Sequence, residues 1–246
     1  MARVVDLLQY LLEERGSDLL VKVGSPPCLR RNGRLERTSL ESLKPDEIEA
    51  LAAEILTPEK SAEFQASGET DLAYSVPGLG RFRVNVYRQR GSVSLAIRRV
   101  VPGAPGIADL GVPPVVADLA TQRNGLVIVS GPAASGKTTT AAAMLDHVNA
   151  TQSCHIVTVE DPIEVLHADR MAIVSQREVG SDTASIATGL RRVSRQNADV
   201  VFCSDLPDAD AVREALSTAA SGRLVLAVVN TLSAVDTVAW MVDRFP

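Results

Sequence analysis

Residues 125–140, GLVIVSGPAASGKTTT, constrain this chain more than any other stretch, because an apolar run enters GxxxxGKT and helix-forming residues follow at once. A loop of this kind turns its successive N–H groups inward on one point. Gly131 and Gly136 can take backbone angles closed to other residues, and the helix behind them aims its positive end at the same place. The ligand that suits such a cradle is a phosphate. Gly131, Pro132, Ala133, Ala134, Ser135, Gly136, Lys137, Thr138 and Thr139 are the expected ATP-binding residues, with Lys137 reaching the β- and γ-phosphates and the Thr138 hydroxyl on Mg²⁺. Leu126, Val127, Ile128 and Val129 read as a buried strand, and Ala141 to Leu145 continue a helix. That strand–loop–helix context separates the pattern from a glycine turn that merely joins two elements.

With 246 residues, 46% of them hydrophobic, the chain can bury one large core or two modest ones. The order of patterns favours two. Residues 3–15 repeat Leu and Val at helical spacing and end at Gly16-Ser17-Asp18, Leu19 to Val23 read as a strand, and Asn32-Gly33 marks a tight hairpin within 28–38. A second helix over 45–56 opens on Pro45 with acids in its first turn, and strands follow over 71–76, 81–89 and 93–99. Residues 1–100 thus form an antiparallel α+β domain. Residues 101–114 hold four prolines and three glycines, a linker composition. From 115 to 246 the grammar is alternating: strand 125–130, helix 137–149, strand 155–159, helix 184–194, strand 199–203, helix 208–220, strand 223–229, helix 233–243. Alternation of this kind predicts a parallel sheet with crossover helices and ligands at the carboxyl ends of its strands.

No run of apolar residues is long enough to span a bilayer, and the acidic first 20 residues lack the order of a signal peptide, so a soluble, intracellular protein without a transmembrane segment is expected. Cys28, Cys154 and Cys203 are widely spaced among apolar neighbours, which predicts buried free thiols rather than disulfides or a metal site. His147, His155 and His167 add no ligand spacing. A net charge of −5 with 3% aromatics counts against a nucleic-acid binder, which needs a basic field and stacking rings. A different NTPase translocating nucleic acid is therefore disfavoured.

If ligands gather at strand ends, the residues after each strand become candidates. Glu160, Asp161 and Glu164 follow the strand 155–159 as an acidic box that can order a metal-bound water or act as general base. Ser204 and Asp205 follow an apolar strand, the expected second metal-supporting element, whereas Asp199 stands at the wrong end of that strand. The hairpin 81–99 carries Arg81, Arg83, Arg88, Arg90, Arg98 and Arg99. Alternation puts Arg81, Arg83 and Asn85 on one face and Phe82, Val84 and Val86 on the other, so the sheet has a dry face and an arginine face. Guanidinium groups suit phosphate charge, and one from a neighbouring subunit could complete an ATP site; a solvated face without ligand is the alternative.

These pieces in this order resemble the type IV pilus retraction ATPases and, more distantly, the type II secretion ATPases. The resemblance is carried by GSDLL and GSPPCLRRNGRL, TDLAYSVPGLGRFRVNVYRQRG, GPAASGKTTT, VTVEDPIEVLH, SQREVGSDT, LRRVSRQNADVVFCSD and SGRLVLAVVNTLSAVDTVAWMVDRFP. It implies a PAS-like N-terminal α+β domain followed by a RecA-like P-loop NTPase domain, ATP and Mg²⁺ as cofactors, and assembly into a homo- or hetero-oligomeric ring, a hexamer in the family. It also implies a cytoplasmic protein meeting the inner membrane through type IV pilus machinery in twitching motility. Lys137 and Thr138 would hold phosphates and Mg²⁺, Glu164 would be the general base, Asp205 would support the metal partly through water, and Arg83 and Arg98 would be arginine fingers. Three departures stand out. Asp205 replaces a glutamate in the second metal motif and Pro207 an arginine; Arg223 and Asn230 replace both histidines of the histidine box; and the chain stops at Phe245-Pro246, where the family continues into a helical part. Hydrolysis weakened by these changes is expected, with a catalytically inactive regulatory or ring-partner paralogue as the alternative.

Overall fold

The alternation of Phe82, Val84 and Val86 with polar neighbours builds one face of a sheet, and the residues opposite them in register complete it. In the computed structural model, which describes residues 3–243, the chain divides into two compact units with the boundary between Val100 and Val101. The first unit runs α1 (Val4–Glu13), β1 (Asp18–Val21), β2 (Cys28–Arg31), β3 (Arg34–Arg37), α2 (Pro45–Ile55), α3 (Pro58–Ser67), β4 (Glu69–Val76), β5 (Gly80–Gln89) and β6 (Ser92–Arg99). Its strands form one antiparallel sheet in the order β3-β2-β1-β6-β5-β4. Leu29, Leu19, Ile97 and Val84 lie side by side across four strands, and with Leu8 and Leu11 of α1 and Ile48 and Leu51 of α2 they form the buried core. The next row on the opposite face reads Arg30, Asp18, Arg98, Arg83. Period 2 thus sorts the arginines from the core. Asn32 (φ 48°) and Gly33 (φ 79°) turn the β2–β3 hairpin as the dipeptide predicts.

Helix α3 has no counterpart in the sequence reading. Thr57 caps it by accepting from Lys60 N at 3.3 Å, but Phe64 alone among its residues is buried, so it carries almost no amphipathic signal.

The second unit opens with β7 (Val101–Pro102), a 3-10 turn at Ile107–Leu110 and α4 (Val115–Ala120), so part of the proline-rich stretch is ordered: β7 pairs in parallel with β10 (Val165–Leu166). There follow β8 (Gly125–Ser130), α5 (Lys137–Thr151), β9 (His155–Glu160), β10, β11 (Ile173–Glu178), α6 (Ile186–Val193), β12 (Val200–Cys203), α7 (Ala209–Ala220), β13 (Leu224–Val229) and α8 (Ala234–Val242). The parallel sheet has the order β11-β9-β12-β13-β8. Alternate residues of its strands feed two cores. Val157, Val201, Val225 and Ala227 pack with Leu190 of α6 and Val212 of α7, while Ile156, Val200, Phe202 and Leu226 pack with Met144 and Val148 of α5. Strands covered on both faces are what near-continuous apolar runs predict.

Two expectations need correction. Leu126, Val127, Ile128 and Val129 are half-buried rather than buried, because β8 is an edge strand with β13 as its one neighbour among the described residues. Cys28 and Cys154 are likewise half-buried and Cys203 alone is buried, since the first two stand at or just before strand starts rather than inside the sheet. β11 was missed: IVSQRE mixes apolar and polar residues and lies at the opposite edge, where the apolar run of a central strand is not required.

Candidate functional site

Because every strand of the second sheet is parallel, their carboxyl ends share one edge. Reading along it, the strand ends present Glu178 (β11), Glu160 and Asp161 (β9), Ser204 and Asp205 (β12), Asn230 (β13) and the loop 131–136 (β8). One strand, β13, separates β12 from β8, so their ends stand roughly 10 Å apart. Asp199 lies at the far end, where Oδ2 accepts from His155 N at 2.9 Å.

The loop departs in one detail from its reading. Gly136 is left-handed (φ 91°), but Gly131 is not; a Cβ there would stand 2.6 Å from Ser135 Oγ, so this glycine permits close approach rather than an unusual φ. The second left-handed residue in the loop is Ala134 (φ 61°). Pro132 to Gly136, Thr138 and Thr139 are exposed, and Lys137 Nζ donates to Pro132 O at 2.7 Å, folding the ammonium back over its own loop. The first turn of α5 contains no acidic residue, so nothing in the helix offsets its positive end. These residues fit a phosphate with its cation: exposed amide donors, one ammonium and the Thr138 hydroxyl.

The acidic box splits by environment. Glu160 is buried, and Oε1 accepts from Thr158 Oγ1 at 2.6 Å and from Gln176 Nε2 at 2.9 Å. Burial pushes its carboxyl up to about 7, against the opposing hydrogen bonds from Thr158 and Gln176 and with help from the nearby charges of Glu178 and Glu164. Asp161 and Glu164 are exposed, free to meet solvent or ligand. Asp161 N donates to Ser204 Oγ at 2.8 Å, which ties the β9 and β12 ends together. Asp205 Oδ1 accepts from Leu206 N at 2.8 Å, and its Oδ2 has no hydrogen bond among the described residues. Gln176 and Glu178 were not foreseen. Glu178 sits opposite Glu160 in register and its Oε2 accepts from Ile163 N at 2.9 Å, a role that only the β9–β11 pairing reveals.

Other predicted residues are not gathered here. Arg223 precedes β13, at the opposite end from the loop, and Nε donates to Ala198 O at 3.0 Å. Asn230 does lie at the site edge, one residue beyond the Val229–Ser130 pair. Arg83 and Arg98 belong to the first unit, where they face each other across β5 and β6.

A phosphate-type loop follows one strand, and acids stand at the ends of three other parallel strands; residues 104–243 match the type II/IV secretion system protein family. The chain belongs to that family. Among relatives of the type II/IV secretion family, the type IV pilus retraction ATPase PilT of Pseudomonas aeruginosa is 36% identical over 243 residues, covering 99% of this chain and 71% of that protein. The type IV pilus ATPase PilU of the same organism is 33% identical over 240 residues, covering 98% of this chain and 63% of that one. A crystal structure of the pilus retraction motor PilT with bound ADP superposes with a TM-score of 0.92 at 37% identity, over all of this chain and 72% of that one. The chain therefore shares the fold of the retraction ATPases and resembles them in sequence. No helix among the described residues is long and apolar enough to cross a membrane.

Proposed function

We propose that this chain binds Mg-ATP at the 131–139 loop and works as a ring-forming ATPase subunit of a type IV pilus or related secretion machine, in the cytoplasm at the inner membrane. The observation that carries the reading is the common edge on which the loop, Asp205 and the acidic box meet. Lys137 and the loop amides would neutralise the phosphates, and Thr138 and Asp205 would hold Mg²⁺, which supplies charge stabilisation at the transferred phosphoryl group. Exposed Glu164 would accept the proton of the attacking water, while buried Glu160 braces the box through Gln176. Arg83 and Arg98 of a neighbouring copy would supply charge from outside, without nucleic acid as partner.

A second reading has its own support. Asp205 is one methylene shorter than glutamate and Oδ1 is engaged by Leu206 N. A displacement of about 1 Å at such a site can cost 10²-fold in rate. The alternative is a subunit that binds ATP with little turnover and regulates an active partner. Phosphate release from Mg-ATP, with Lys137→Ala as control and at a protein concentration that favours assembly, separates the two. Turnover abolished by Lys137→Ala supports the motor; folded, ATP-binding protein with no turnover above that control supports the regulatory subunit.

A further inference from the structure

The polar face of the first sheet places four charged residues in a single row: Arg30 on β2, Asp18 on β1, Arg98 on β6 and Arg83 on β5, each the register partner of the next. Like charges directly opposite each other across an antiparallel pair are destabilising, so the Arg83–Arg98 pair costs the sheet stability. The single carboxylate in the row does not sit between those two arginines. Asp18 lies on the far side of Arg98, and both its oxygens are committed: Oδ1 accepts from Arg98 Nε at 2.7 Å, and Oδ2 accepts from Ser17 Oγ at 2.8 Å with Arg30 Nε at 3.8 Å. Only 13% of the Asp18 side chain is exposed, against 64% for Arg98.

The direction of that bond matters. A guanidinium held through Nε has its orientation set by that bond, while the end-on edge formed by its two terminal nitrogens is left to grip an oxyanion bidentately. Neither Nη of Arg98 donates to a group among the described residues, and Arg83 has no ion pair or hydrogen bond among them. Arg30 is instead anchored to its own hairpin, with Nη1 donating to Gly33 O at 3.0 Å. The row thus contains one guanidinium tied down, one oriented outward and one free.

We propose that Asp18 is a positioning residue: it grips Arg98 through Nε and so presents the terminal fork of Arg98, beside Arg83, to a phosphate oxyanion held by a second copy of this chain. The proposal rests on the ring-forming ATPase reading given above. Asp18 touches no substrate; it sets the geometry of a group that does, and a preorganised fork loses less freedom on contact than a mobile one.

The test is a double-mutant cycle on the full chain under assembly conditions. Asp18→Asn keeps the shape and removes the charge that holds Nε. It is expected to lower kcat on the order of 10- to 100-fold, as a misoriented contact does, with KM for Mg-ATP unchanged because the loop still binds nucleotide. Arg98→Ala should cost at least as much, and Asp18→Asn with Arg98→Ala should be no worse than Arg98→Ala alone. Losses that multiply, an unchanged kcat in folded Asp18→Asn, or a higher kcat from an unmasked extra arginine would each overturn the proposal. A second measurement needs neither turnover nor a variant: ¹⁵N relaxation of the arginine Nε–H groups in the wild-type chain. An ordered Arg98 Nε–H beside a mobile Arg83 Nε–H supports the grip, and equal mobility overturns it. If the wild type shows no ATP turnover while Arg98 is ordered, the motor reading fails and the grip stands.

Discussion

Ala134 is held at φ 61°, a left-handed conformation that costs a residue with a Cβ about 1–2 kcal/mol. The loop tolerates this because alanine is the smallest side chain that can bear it. Ala134→Val is expected to lower stability by at least 1 kcal/mol and to weaken ADP binding, because β-branched residues are outliers in this region, whereas Ala134→Gly should bind at least as well as wild type. Thermal unfolding with and without Mg-ADP reads both effects. At Glu160 the sign follows from linkage. Its carboxyl is raised from 4.5 to about 7, so between those pH values the folded chain binds more protons than the unfolded chain, and unfolding free energy falls as pH rises through that window. The contribution is on the order of 3 kcal/mol, fully present below about pH 4.5 and lost above about pH 7. Denaturant titrations of the nucleotide-free chain should therefore show Glu160→Gln gaining on wild type as pH rises from 4.5 to 8. A variant that loses ground across that range would show Glu160 to be favourably ionised in the fold.

At the scale of elements, the position of the acidic box depends on how closely α6 approaches β9. Gly189 lies in the middle of α6, and a Cβ on it would stand 2.5 Å from Val159 Cγ1, one residue before Glu160. The helix gives up intrinsic stability at this glycine in order to pack against the strand. Gly189→Ala should then destabilise by about 1–3 kcal/mol through overpacking, although alanine is the better helix former, and a Val159→Ala change in the same chain should recover part of the loss. Additive losses measured by denaturant unfolding would place the strain elsewhere. The same packing logic explains what the sequence made legible. α1 and α2 each bury four residues at helical spacing and were read with nearly correct ends, whereas α3 buries only Phe64 and was not seen. β12 and β13 are buried at every residue and show as apolar runs; β11 at the sheet edge does not.

On the scale of the whole molecule, one hydrophobic core is built from residues before the Val100–Val101 boundary and two from residues after it, and the candidate nucleotide residues of the loop belong to the second unit. A ligand stabilises the folded form of whatever cooperative unit binds it. Calorimetry is therefore expected to resolve two transitions, with Mg-ADP at 100 times its Kd stabilising one by about 2.7 kcal/mol and leaving the other in place. A single transition that shifts as a whole would mean that the units unfold as one.

What the sequence determined by itself was local in origin. The strand, loop and helix around Lys137 follow from residues within 16 positions of one another, the Asn32-Gly33 hairpin from two, and the face that Arg83 shares with Arg81 from strand period alone. Three-dimensional packing decided the rest. Spacing put Glu160 and Glu164 in one acidic box and the resemblance made Glu164 the base, but neither says that Glu160 is buried against Gln176 while Glu164 is exposed, because solvation depends on which strand lies alongside. That β8 is an edge strand, that Arg223 stands away from the loop while Asn230 stands beside it, and that Asp18 grips an arginine 80 residues later are likewise facts of strand order and register. Composition and spacing carry the propensities of neighbours in the chain; burial, charge shifts and long-range pairs arise only when distant segments displace water from one another.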